Sequence, residues 1–260
     1  MFRRLLLIFL SLALEPALAA DTPEAKGLAL AQAADEADRG WGDAAARLSM
    51  VLRNAAGEES RRELRVKLRE RAGDGDQSLI TFHLPRDIAG TALLSYSHAL
   101  VPDEQWLYLP ALKRVKRIAT ANKSGPFVGS EFAYEDLTSM EVEKYSYRWL
   151  RAEEYGGRPA AVVEETPRYA HSGYTRRVVW LDQERLQPLK VEFFDRKDAL
   201  LKTLTCEDYR QYLGRYWRSH RLVMLNHQSG KSTELTWQDY TFGNGYTARD
   251  FDQASLARER

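Results

Sequence analysis

A single cysteine, Cys206, in 260 residues leaves this chain no internal disulfide, so its fold rests on packing and hydrogen bonding alone. Cys206 itself reads as a small apolar filler of a strand. Beyond residues 5–14 there is no long apolar run, which excludes a spanning helix elsewhere. An excess of one charge is missing too. With 38 Lys and Arg against 37 Asp and Glu, neither nucleic-acid binding nor attraction of the whole molecule to a membrane is favoured, and any steering is local. The five histidines, His83, His98, His171, His220 and His227, are dispersed, with neither the i, i+4 spacing nor the cysteine neighbours of a metal site. Ser130 follows Gly129 but lacks the strand-turn-helix setting of a nucleophile elbow. The carboxylate pairs Glu58/Glu59, Glu153/Glu154 and Glu164/Glu165 are adjacent, so on a strand they point to opposite faces and do not share a proton. Neither an enzyme nor a cofactor is expected.

The one long apolar run has an address function. Arg3 and Arg4 precede Leu5 to Leu14, Pro16 breaks the run, and Ala17, Leu18 and Ala19 supply a small-x-small cleavage pattern. Residues 1–20 are expected to be a signal peptide, and residues 21–260 a single domain that is soluble, periplasmic and monomeric. No cysteine sits beside the cleavage site to take a lipid. Pro, Gly and Ser are scattered singly, without a linker or a repeat, which favours one domain over two.

Most of the chain reads as strands. Thr22 and Pro23 open a helix that runs to Arg39 and stops at Gly40 and Gly42. Leu64, Val66 and Leu68 then alternate with Arg65, Lys67 and Arg69, the signature of an antiparallel sheet dry on one face and wet on the other. Similar segments follow to Phe242, and residues 248–260 suggest a short C-terminal helix. About eleven strands in up-and-down order do not stay flat, so the sheet curls and its exposed face is closed or covered by the N-terminal helix.

The stretch from Trp106 to Asp136 organises the rest. Trp106, Leu107, Tyr108 and Leu109 read as a strand ended by Pro110, and Val115 to Ile118 return as a second strand after a basic turn. Phe127 and Val128 then sit between permissive residues, and Phe132 and Tyr134 share one side of an extended segment. Further on, Tyr145, Tyr147 and Trp149 occupy alternate positions, and three rings on one face require an apolar neighbour or a ligand. These eight aromatics read equally as core or as the wall of an acyl-chain cavity, since both need apolar surface facing inward. The cations Lys113, Arg114, Lys116 and Arg117, with Lys123 nearby, read as a solvated hairpin tip or as a contact for anionic headgroups or an acidic partner.

The Trp106–Ile118 hairpin, the run Gly129, Ser130, Phe132, Tyr134, Glu135 and Asp136, and the late strand Thr233, Glu234 and Leu235 together resemble the outer-membrane lipoprotein-sorting protein family. These are periplasmic relatives of the LolA and LolB carriers, often associated with exporters of the resistance-nodulation-division (RND) superfamily. The resemblance covers nearly the whole chain after residue 20. It implies an incomplete, half-open antiparallel β-barrel covered by helices or loops, which holds acyl chains of a lipoprotein or lipid and hands them toward the outer membrane. The alternative is an accessory protein that docks on an RND-type transporter or another envelope acceptor without carrying cargo.

Overall fold

The computed structural model describes residues 22–256; the expected signal peptide, residues 1–20, lies outside them. Helix α1 (Pro23–Ala37) begins with the Thr22 hydroxyl accepting from the Ala25 N–H at 3.1 Å and with proline at its first position. It ends at Ala37, two residues short of the expected Arg39, and Gly40 and Gly42 then take positive φ, with the Glu70 carboxylate accepting both of their N–H groups, at 2.6 and 2.8 Å.

Thirteen antiparallel strands follow, arranged in one sheet. The first six are β1 (Asp43–Arg53), β2 (Glu59–Arg69), β3 (Gln77–Leu84), β4 (Ala92–Tyr96), β5 (Glu104–Leu109) and β6 (Arg114–Arg117). The second group comprises β7 (Tyr145–Tyr155), β8 (Arg158–Pro167), β9 (Arg176–Asp182), β10 (Pro188–Phe194), β11 (Leu200–Tyr212), β12 (Tyr216–Asn226) and β13 (Ser232–Phe242). The expected count of about eleven is too low, while the short second strand expected at Val115 to Ile118 is present as β6, paired with β5. The order is not a simple meander either. It runs β6 to β1, then β13 to β7, so β1 and β13 pair at the centre and β6 and β7 form the two edges.

That order forces the chain between β6 and β7, residues 118–144, to pass from one edge of the sheet to the other. It does so across the inner face as a series of 3-10 turns, and its Phe127 and Phe132 enter the main hydrophobic cluster. Tyr134 therefore starts a 3-10 turn and does not extend a strand. Inward residues of both halves meet in this cluster, among them Leu48 and Met50 of β1, Phe82 of β3, Leu93 of β4, Val179 of β9 and Met224 of β12. The outer face carries two smaller clusters. One of them packs Leu79, Leu94 and Trp106 beneath Phe251 and Leu256. Within the described part of the helix expected at residues 248–260, which reaches residue 256, the cover consists instead of two 3-10 turns, Ala248–Phe251 and Gln253–Ser255. Cys206 is buried as a strand filler, and burial pushes its thiol up to about 12. Among the described residues no helix is long and apolar enough to cross a membrane.

Candidate functional site

Helix α1 lies across edge strand β7 at very short range. A Cβ on Gly27 would sit 2.8 Å from the Trp149 nitrogen and 2.9 Å from that of Arg148, so only glycine permits this approach. Leu30 and Ala31 of the helix pack on Tyr145, Tyr147 and Val163, and the Lys26 ammonium stands 3.5 Å over the Trp149 ring. Held in this way, the helix does not sink onto the middle of the sheet. Between it, the crossover segment and the strands lies a cavity of about 810 Å³.

The floor of the cavity is apolar. It is formed by Phe132 of the crossover and by Val179, Val191, Phe193, Leu204 and Met224 of the second half-sheet. Its mouth lies between the last turns of α1, the β2–β3 turn, residues 138–143 and the β9–β10 turn. One wall carries a buried ion pair in which the Arg177 Nε donates to Glu165 at 3.0 Å while its guanidinium lies 4.2 Å over the Tyr145 ring. Burial pushes the Glu165 carboxyl up and the Arg177 charge pulls it back. With one partner gone, the other would be an uncompensated buried charge.

Polar ties fix the crossover, and with it the cavity's second wall. Asp136 accepts from Lys202 at 2.6 Å, from the Tyr174 hydroxyl at 2.8 Å and from the Ala133 N–H at 2.7 Å. Glu135 accepts from Tyr169, Ser172 and Gly173, at 3.0, 2.9 and 2.8 Å, and burial raises its pKa. Lys144 pairs with Asp103 at 2.9 Å. Lys123 is buried beside the same Asp103 and not displayed at a solvated tip, and burial lowers its pKa.

The eight aromatics singled out in the sequence divide among several places. Phe132 and Tyr147 line the cavity. Phe127 is fully buried in the core, with its ring 5.6 Å from that of Phe82, and Tyr134 stands edge-on to it at 5.8 Å. Tyr145 is buried next to Tyr147, and Trp149 is half-buried beneath α1. Trp106 and Tyr108 face away from the cavity, in the outer cluster under Phe251. Lys113, Arg114, Lys116 and Arg117 are exposed on the edge hairpin, Arg117 paired with Glu104 at 2.6 Å. That hairpin turn lies at the opposite end of the sheet from the mouth, because successive turns of an antiparallel sheet alternate ends. The floor residues of β9 to β12 escaped notice because their alternation is that of any half-buried strand.

A sequence-family profile described as an uncharacterized protein matches residues 74–258. None of the curated proteins matches the chain. Among solved structures, a Vibrio parahaemolyticus domain named for outer membrane lipoprotein sorting is 55% identical, with a TM-score of 0.88 over 90% of this chain and 99% of that one. A DUF1329 family protein from Desulfovibrio piger is 26% identical, with a TM-score of 0.85 over 90% of this chain and 99% of the other. A LolA superfamily protein from Nitrosomonas europaea, 20% identical over 88% of this chain and 98% of its own with a TM-score of 0.70, shares the fold. The match at 55% identity over nearly the whole of the Vibrio domain shows that this chain belongs to the outer-membrane lipoprotein-sorting protein family.

Proposed function

We propose that the protein is a periplasmic carrier that holds the acyl chains of a lipoprotein or lipid in the cavity and passes them toward the outer membrane. The observation that carries this reading is the cavity itself: about 810 Å³ with an aliphatic and aromatic floor, within the range of roughly 300–1,000 Å³ typical of ligand sites. Each methylene of an acyl chain moved from water onto such a floor contributes about 0.8 kcal/mol. The leader expected in residues 1–20 supports the compartment, and the lipoprotein-sorting relative supports the class of cargo. Phe132 and Tyr147 are the rings that touch the chain, and the other six aromatics hold the frame. In this reading the exposed cations Lys113, Arg114, Lys116 and Arg117 meet an anionic membrane or an acidic acceptor such as an RND-type transporter. Native mass spectrometry of protein drawn from its own periplasm tests the carrier reading. A stoichiometric lipid or lipopeptide is expected, and a lipid-free protein that still docks on an envelope transporter would overturn it.

A further inference from the structure

The charge around the cavity is unevenly compensated. Nine carboxylates line it, against three guanidinium groups. Five of the carboxylates have cationic partners: Asp35 with Arg39, Asp38 with Arg218, Asp74 with Arg71, Asp136 with Lys202 and Glu165 with Arg177. Glu70, Asp76, Glu141 and Glu143 have none among the described residues. Their hydrogen bonds come from neutral donors, namely the Gly40 and Gly42 N–H groups to Glu70, the Arg71 N–H to Asp76 at 3.2 Å and the Ser139 hydroxyl to Glu141 at 2.5 Å. All four belong to segments that frame the mouth, while the floor is apolar.

The rim also exposes apolar side chains. Met140, which lines the cavity, is 44% exposed, and Leu100 and Val101, directly after the lining residue Ala99, are 86% and 60% exposed. The Ser97–Asp103 loop that carries them is tied to the crossover through the Ser139 N–H to the Ser97 hydroxyl at 2.7 Å. An occupant of this site thus meets a dry floor, an apolar lip and a ring of uncompensated negative charge where its polar end must stop.

Resting on the carrier reading, we infer that the cavity selects amphiphiles whose polar end is cationic, an acyl or alkyl chain ending in an ammonium group. An anionic headgroup at the same depth faces four carboxylates, while the nearby guanidinium groups of Arg39 and Arg71 are already engaged by Asp35 and Asp74. A cationic one supplies the missing counter-charge and leaves its chain on the floor. The potential of clustered carboxylates around a low-dielectric opening reaches the headgroup with little screening. Burial, reinforced by Glu141, Glu70 and Asp38, holds the Asp76 carboxyl up at about 7, so Asp76 adds its full charge to the rim only above neutral pH.

The test displaces an apolar fluorescent reporter, 1-N-phenylnaphthylamine, from the purified chain with three probes of equal chain length: dodecylammonium, dodecanol and dodecanoate. It is run below their micelle concentrations, at low salt and at about pH 8, where the amine is charged. Dodecylammonium is expected to compete about tenfold more tightly than dodecanoate, with dodecanol between them. High salt should shrink that gap, and so should the Asp76→Asn/Glu141→Gln double variant. Equal competition, or a preference for dodecanoate, would overturn the inference while leaving the carrier reading in place. Failure of all three to displace the reporter would overturn both.

Discussion

Asp76→Asn removes one charge without changing the shape of the β2–β3 turn, and it should make the protein more stable above neutral pH. In the folded chain the Asp76 carboxyl is pushed from 3.8 to about 7, first by burial and then by Glu141, Glu70 and Asp38, against the pull of the Arg71 N–H. The ion pair of Arg71 with Asp74, itself bonded to His98, lies on the same turn. Because the folded state holds this proton more tightly than the unfolded state, Asp76 makes stability fall as pH rises between about 4 and 7. Below that window it costs nothing, and above it the full penalty applies. A shift of about three units at roughly 1.4 kcal/mol each sets a ceiling near 4 kcal/mol, and partial access to solvent through the mouth brings the expected effect to about 1–3 kcal/mol. Asparagine keeps an oxygen to accept the Arg71 N–H. Urea unfolding of both proteins at about pH 4, 6 and 8 should show coincident curves at the lowest value and a variant more stable by about 1–3 kcal/mol at the highest. Subtracting wild type matters, since groups such as Glu234, held low by Arg221, lose their own contribution as pH falls. Equal stability of the two proteins at pH 8 would refute the reasoning.

Further outcomes follow from the same geometry. Phe127→Ala, at a fully buried position packed on Phe82, should cost about 3–5 kcal/mol in chemical unfolding, whereas Phe132→Ala beside the cavity should cost less and weaken binding of a fluorescent fatty amine severalfold. Comparable stability losses in the two variants would show that the cavity is closed in solution. Gly27→Leu puts a side chain where even a Cβ would stand 2.8 Å from the Trp149 nitrogen of β7, so it should lift α1 and raise hydrogen exchange in Tyr145–Tyr155; unchanged exchange there would show that α1 tolerates the displacement. Changing Lys113, Arg114, Lys116 and Arg117 together to Gln should weaken sedimentation with anionic vesicles and flatten its salt dependence, with melting shifted by only a few degrees. Undiminished sedimentation at low salt would mean the tip is merely solvated.

Nearly every strand was legible in the sequence, because alternation such as Leu64, Val66 and Leu68 against Arg65, Lys67 and Arg69 reports a half-wet sheet directly. The strand order was not. β1 and β13 are both amphipathic, and nothing local in either marks the other as its partner. The apolar run Trp106 to Leu109 shows why choosing faces fails in short strands. Leu107 points into the main core, while Trp106 and Tyr108 point outward to a cover supplied from residues 246–256. Gly125, Pro126 and Gly129 marked the crossover as irregular, but whether it caps an edge or crosses a face depends on pairings about a hundred residues away. The mouth was invisible for a related reason. Its unpaired carboxylates come from positions 70, 76, 141 and 143, and only the folded sheet brings them together.

The central pairing of β1 with β13 has a consequence for the time course of folding. Each half of the sheet consists of neighbouring hairpins, whose contacts are local and form quickly. The seam between the halves, with Leu48 opposite Trp237 and Leu52 opposite Thr233, closes a loop of nearly the whole domain. Such a contact incurs its loop entropy before it returns any burial, so it forms late. A chain delivered from its N-terminus meanwhile exposes the inward face of β1 until the last strand arrives. The floor of the cavity takes residues from β9 to β12 and the crossover, and β13 is the strand that joins that half to β1. The C-terminal strand therefore sets the moment at which the two halves of the sheet become one.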